Sequence, residues 1–137
     1  YTSPLLRVLD EVPDAVHALS HVTGGGIAAN LARVLPTGSW VEVDRSTWSP
    51  QPVFRILADW GGLDLESTEG TWNLGVGFLA VVAQDAASAI THALTAAGLP
   101  AWVVGRVTVG ARDLDGFTHG AKGVDGGAVR LVGDYAG

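Results

Sequence analysis

The chain has 137 residues, 47% of them hydrophobic, and a mean hydropathy of +0.30. A chain of this size buries roughly 68% of its unfolded surface, enough for one core without covalent staples, and no apolar run approaches the length of a bilayer span. Eight Lys and Arg against fourteen Asp and Glu leave a net charge of −6 with no cysteine; this excludes a basic field for a nucleic-acid backbone, a disulfide framework and a thiolate zinc site.

Leu5, Leu6, Leu9 and Val12 share one face of a short helix that Pro13 ends. Over residues 16–23 strand alternation puts His17, Leu19, His21 and Thr23 on one side and Val16, Ala18, Ser20 and Val22 on the other. Residues 24–35 read as a helix with Ile27, Leu31, Val34 and Leu35 inward, closed by Pro36, and a strand follows over 40–43. Ser49-Pro50 signals a helix start, with Val53, Phe54, Ile56, Leu57 and Trp60 as its buried stripe and Gly61-Gly62 as its end. A second short helix is expected over 63–71.

Residues 76–83 are a near-continuous apolar run, which suits a strand covered on both faces. Ala86, Ala89, Ile90, Ala93, Leu94 and Ala97 form the next helical stripe, with Asp85 as its cap and Gly98 with Pro100 at its end. Strands are expected over 101–109 and 128–132. Between them, 113–127 is rich in Gly and Asp and carries His119 and Lys122, which predicts an exposed loop or arm. The tryptophans, Trp60 and Trp102 within apolar patterns above all, are expected in core and interface rather than in a ligand cage. Short elements between Asp44 and Gly75 break any regular βαβ repeat, so the expected class is α+β: a layered mixed sheet with helices packed on it, in a single domain over 1–137.

The sequence Ser20-His21-Val22-Thr23-Gly24-Gly25-Gly26-Ile27 stands out. A strand running through three glycines into a helix presents backbone N–H groups that can hold a phosphate or a developing oxyanion. Thr23 can add a hydroxyl, and no acidic residue occupies the first turn to repel an anion. A tight turn is the plainer reading of the same glycines. Gly24-x-Gly26-x-x-Ala29, with Glu42 and Asp44 about twenty residues on, also matches a loose dinucleotide fingerprint, although no second mononucleotide half follows. A phosphate-binding P-loop fits less well still, because no Gly-Lys-Ser/Thr follows the glycines.

His21 can donate to an oxyanion or move a proton beside that corner; a hydrogen-bonded histidine at a strand end is the alternative. His17 and His21 have helical spacing but lie on a predicted strand with no third ligand, so no metal site is expected. His92 falls on the polar side of its helix. Asn73, in Thr71-Trp72-Asn73-Leu74-Gly75-Val76-Gly77-Phe78, can orient an amide or phosphate or can cap a turn, and both readings stay open.

Four ordered motifs, His21-Val-Thr-Gly-Gly-Gly-Ile, Asn30-Leu-Ala-Arg-Val-Leu-Pro, Trp48-x-Pro-x-Pro-Val-Phe and Trp72-Asn-Leu-Gly-Val-Gly, together resemble the C-terminal domain of the phosphoribosylformylglycinamidine cyclo-ligase (aminoimidazole ribonucleotide synthetase) family. The resemblance runs over about residues 5–105 and more weakly beyond. It implies an α+β fold with partial ferredoxin-like character. It also implies an ATP-dependent ligase of purine biosynthesis that closes formylglycinamidine ribonucleotide to aminoimidazole ribonucleotide. By the same resemblance His21 is catalytic, Thr23, Gly24, Gly25, Gly26 and Asn73 bind substrate or phosphate, and ATP and Mg²⁺ are the cofactors. Most of the ATP and Mg²⁺ contacts, and the homodimer, belong to an N-terminal domain outside this chain.

Leu74 and Phe78 stand where that family often has methionine. Related families of the same architecture often carry aspartate at the position of His21, which favours the purine branch. The start at Tyr1 and the lack of any Met suggest a piece of a longer polypeptide, inactive alone. Residues 1–10 show no secretory pattern, so the expected location is cytoplasmic, with neither nucleic acid nor membrane as partner. The alternatives to the ligase are a non-catalytic module that binds a phosphorylated metabolite and a dinucleotide-binding fragment.

Overall fold

The computed structural model describes residues 1–120 and 124–136; Lys122, part of the predicted loop, lies outside the described residues. In chain order the elements are α1 (Thr2–Glu11), β1 (Val16–His21), α2 (Gly26–Ala32), β2 (Ser39–Asp44), α3 (Pro52–Gly61), β3 (Phe78–Val82), α4 (Ala87–Ala96), β4 (Gly105–Val109), β5 (Thr118–His119) and β6 (Ala128–Val132). One sheet has the order β4-β2-β6-β5, antiparallel between β2 and β4, parallel between β2 and β6 and antiparallel between β5 and β6. β1 and β3 form a separate pair. The bonds at its ends, Val22 N–H to Gly77 O and Ala83 N–H to Ala15 O, make it antiparallel. The α+β class with a mixed sheet is therefore as the sequence predicts, and no helix among the described residues is long and apolar enough to cross a membrane.

The chain divides into two compact units, Tyr1–Leu19 with Ala80–Val103, and Ser20–Leu79 with Val104–Gly137. In the first, Val8, Ile90 and Leu94 form a buried cluster that Leu5, Val12, Val16 and Leu99 surround, each fully buried aliphatic chain stabilising by about 1.5–3 kcal/mol. The inward stripe of α1 is thus 5, 8 and 12. Leu6, expected inward, is exposed, because two helical steps of about 100° put it on nearly the opposite side from Val8. α4 ends as predicted, with Gly98 at φ +83° and the Leu99 amide returning to the Leu94 carbonyl. Its start differs: Ala86, not Asp85, is the cap, and no side chain bonds there.

In the second unit β2 is central, and its pleat buries Ser39, Val41 and Val43 while Trp40, Glu42 and Asp44 face the other way. α2 packs on β5 and β6, and the Gly127 amide bonds the carbonyls at the helix end, Ala32 and Leu35. Phe54, Ala58, Leu65, Trp72, Leu74 and Tyr135 make a further apolar cluster.

Several expectations differ from the structure here. Of the predicted α3 stripe only Phe54 turns inward, and Trp60 is 82% exposed. The apolar 76–83 run yields a β3 that, among the described residues, pairs with β1 alone; Leu79 is buried and Ala80 exposed rather than both faces being covered. The strand expected from 101 begins only at Gly105, leaving Trp102 and Val103 outside the core. The helix expected over 63–71 is one 3₁₀ turn, Glu66–Thr68. The predicted loop 113–127 is partly built into the fold, for Phe117 is buried and β5 pairs with β6.

Candidate functional site

The parity of β1 holds through its end. Ser20 and Val22 are buried, whereas His17, His21 and Thr23 are exposed. The Ser20 hydroxyl donates to the Asn30 carbonyl at 2.8 Å, tying the strand to α2 from below, and leaves the polar row outward. His21 stacks on Phe78 of the adjacent strand, with ring centroids 6.0 Å apart and planes at 23°. That contact fixes the imidazole at the edge of the corner without using either nitrogen.

The three glycines serve three purposes. Gly24 is open on all sides. Gly25, at φ +102°, is the left-handed cap of α2. Gly26, at φ +67°, is buried, and a Cβ there would lie 1.6 Å from the Glu69 carbonyl oxygen and 3.2 Å from that of Trp72. The corner can therefore close only on a bare backbone. The Gly26 amide is already bonded to the Thr23 carbonyl at 3.1 Å, while the Gly24 and Gly25 amides have no acceptor among the described residues. α2 spans seven residues, not the twelve predicted. The pull on an anion thus falls to those two amides rather than to a long helix dipole.

Asn30 organises the turn, and it is the residue the sequence reading missed as a site member. Its side-chain amide donates to the carbonyls of Thr23 (3.2 Å) and Gly26 (2.7 Å), and its side-chain oxygen accepts from the Thr23 hydroxyl at 3.4 Å and from Arg33. The Thr23 hydroxyl is thus engaged, although a 3.4 Å bond is weak enough to yield to a charged acceptor. One signal pointed to Asn30: a polar residue inside the stripe of Ile27 and Leu31, four positions after a glycine.

Asn73 adopts the turn-capping role, its side-chain oxygen accepting from the Gly75 amide at 3.1 Å, while its own carbonyl takes the Val76 amide. The next residue, Leu74, is buried at φ +48°, and its carbonyl accepts from the Trp48 indole at 3.1 Å. The close approach of Gly26 to Glu69 and Trp72 sets this segment against the glycine corner. Among the described residues no hydrogen bond joins Asn73 to His21 or to the glycines.

A second missed feature backs that approach. Arg45 forks onto Glu69 with bonds of 2.6 and 2.9 Å and donates to the Gly133 carbonyl, while the Tyr135 hydroxyl donates to Glu69 at 2.6 Å. The Glu69 carboxylate holds the Arg45 pKa above its ordinary value, and burial, then the bond to Glu69, pushes that of Tyr135 up. Separations of 24 and 66 residues leave no local signal for these partners.

The acidic residues of the dinucleotide fingerprint are occupied. Glu42 is clasped by Arg130 (2.5 Å) and Arg112 (3.1 Å), which hold its pKa down, and Asp44 caps the Ser46 amide at 2.9 Å. A ribose would have to displace two arginines. Among the described residues no three His, Asp or Glu side chains converge on a metal position. An open depression of about 350 Å³, lined by Asp14, Ala15, Ala83, Asp85 and Ala86, contains none of the predicted site residues.

Residues 2–113 match the family of AIR synthase related proteins, C-terminal domain. A Streptomyces fradiae protein provisionally named phosphoribosylformylglycinamidine cyclo-ligase is 45% identical over 121 residues, covering 88% of this chain and 62% of that protein. Proteins bearing the same name from Pseudothermotoga lettingae and Xylella fastidiosa are each 36% identical, covering 75% and 78% of this chain but 31% and 30% of their own lengths. The chain thus spans about three fifths of the first relative and under a third of the other two. With the match extending over most of its length, the chain belongs to the AIR synthase related protein C-terminal domain family.

Proposed function

We propose that this chain is the substrate-side domain of a phosphoribosylformylglycinamidine cyclo-ligase, an ATP-dependent ligase of purine biosynthesis that works in the cytoplasm as a homodimer. In this reading 1–137 is one C-terminal domain. An N-terminal domain supplies the dimer contact and most of the groups that hold ATP and Mg²⁺, for which the described residues of this chain offer no carboxylate cluster. The observation that carries the reading is the exposed corner where His21 stands beside the bare Gly24 and Gly25 amides, within a domain of this family.

The chemistry asks for what such a corner offers. The γ-phosphoryl group of ATP passes to the amide oxygen of formylglycinamidine ribonucleotide, the amidine nitrogen then attacks the activated carbon, and phosphate leaves with that oxygen. An amide oxygen departs poorly by itself, and phosphorylation makes it a good leaving group. Gly24 and Gly25 donate to the phosphoryl oxygens, the Thr23 hydroxyl joins them by releasing Asn30, and His21 hydrogen-bonds or protonates at the reacting amide. Asn73 places substrate through its free side-chain amide, its oxygen being held by Gly75.

The test is ATP-dependent ring closure by the full-length protein that contains this chain. His21→Ala should lower the rate at least about a hundredfold, the scale of a positioned acid–base group or oxyanion donor. A near-normal rate removes His21 from the mechanism. ATP hydrolysis coupled to some other phosphorylated metabolite would remove the substrate assignment.

A further inference from the structure

Asn30 is 3% exposed, and both ends of its side-chain amide are in use. The NH₂ group donates to the carbonyls of Thr23 and Gly26 at 3.2 and 2.7 Å. The oxygen has two donors, the Thr23 hydroxyl at 3.4 Å and Nη2 of Arg33. These donors differ in kind. Thr23 offers a long bond from an exposed residue, and a hydroxyl turns readily toward another acceptor. Arg33 is half-buried and anchored twice, since its Nε also donates to the Ala29 carbonyl at 3.2 Å. A guanidinium can only donate, so it also fixes which way the Asn30 amide faces, oxygen toward the cation and NH₂ toward the two carbonyls. Among the described residues no ion pair includes Arg33, and no carboxylate draws it away from Asn30.

A buried acceptor that loses its only donor bears the full desolvation of that group, whereas one that keeps a charged donor does not. From this double occupancy we propose that Arg33 is a positioning residue of the glycine corner: by keeping a donor on the Asn30 oxygen, it frees the Thr23 hydroxyl to move to a phosphoryl oxygen. The proposal rests on the reading that this corner holds phosphate. Without Arg33 the hydroxyl is the sole donor to a buried oxygen and stays there. A residue that only stabilised the turn, or only added positive charge, would act equally whether or not residue 23 carries a hydroxyl. Arg33 acts through that hydroxyl.

A double-mutant cycle separates these roles, with inorganic phosphate as the probe and the Gly24 amide resonance of the 137-residue chain as the readout. In the native background Thr23→Val should weaken phosphate binding about tenfold, the scale of one hydrogen bond to a charged acceptor. In an Arg33→Met background the same substitution should weaken it less than about twofold, because the hydroxyl is already withheld. Arg33→Ala should behave likewise, which guards against one variant failing to fold. With Arg33→Lys, which keeps a charged donor, the effect of Thr23→Val should return to at least about fivefold. The proposal is overturned if Thr23→Val causes the same loss in every background, if it causes none in any, or if phosphate leaves the Gly24 resonance unmoved. The cycle contains neither ATP nor nucleotide. Its failure leaves ring closure to be decided by its own assay, and failure of that assay leaves the cycle standing.

Discussion

Gly26 and Gly24 are two positions apart and stand at opposite limits of what a methyl group would do. At Gly26 a Cβ would overlap the Glu69 carbonyl at 1.6 Å in a left-handed backbone. The obstacle is backbone, so it cannot swing aside as a flexible side chain would. At Gly24 nothing lies within 4 Å, and the residue is not among those of positive φ. Gly26→Ala should therefore cost at least about 2–3 kcal/mol, combining left-handed strain with overpacking, and Gly24→Ala within about 0.5 kcal/mol, the range of open surface positions. Urea unfolding of the two variants checks the contrast, and equal midpoints would show that Gly26 is not where the backbones meet. Asn30 acts at the same scale. Its side-chain amide gives the Thr23 carbonyl, which already takes the Gly26 amide, a second donor and also donates to the Gly26 carbonyl, so one side chain pins both ends of the turn.

At the scale of elements, the packing of the glycine corner against residues 69–72 depends on groups distant in sequence. Arg45 follows β2, Glu69 follows a 3₁₀ turn and Tyr135 lies beyond β6, yet the three converge on one carboxylate. The raised pKa of Tyr135 makes this network sensitive to alkali. A tyrosine whose folded pKa exceeds its unfolded value, close to 10.0, contributes fully below that pH and loses its contribution as pH climbs through the folded value. Unfolding free energy should fall from about pH 10 upward, with a slope from this group below about 1.4 kcal/mol per pH unit because solvent partly screens a half-buried site. Tyr135→Phe should flatten that decline. An identical alkaline profile for the variant would mean that the phenol keeps no extra proton in the native state.

Local features were readable from the sequence in proportion to how local their causes are. The triple glycine, the β1 parity that turns His21 and Thr23 outward, and the Gly98 cap follow from spacing alone. Periodicity tells which residues share a face but not which face is covered. Hence Leu6 reads as inward from its spacing although Val8 is the buried one. The outward row of α3 was expected to be buried for the same reason, and β3 was expected to be covered twice although only β1 pairs with it. The hydrogen-bonded centres at Asn30 and Glu69 join groups that only the folded backbone brings together.

For the molecule as a whole, protection should follow lateral pairing and burial rather than hydrophobic content. β2 has a neighbour on each side and contributes the fully buried Val43 and the buried Val41, the latter opposite the fully buried Val129 of β6. β3, the more continuously apolar in sequence, has one partner and one buried residue. Opening a strand held on both sides breaks two ladders and uncovers a core, while opening the β1–β3 pair breaks one. Native-state hydrogen exchange should therefore find the amides of Val41 and Val43 slower than those of Ala80 and Val81 by at least about a hundredfold, corresponding to roughly 2.7 kcal/mol between local and wider opening. Equal protection would mean that the two-stranded pair opens only when the four-stranded sheet does, and that hydrophobic content, not pairing, governs the order in which this chain comes apart.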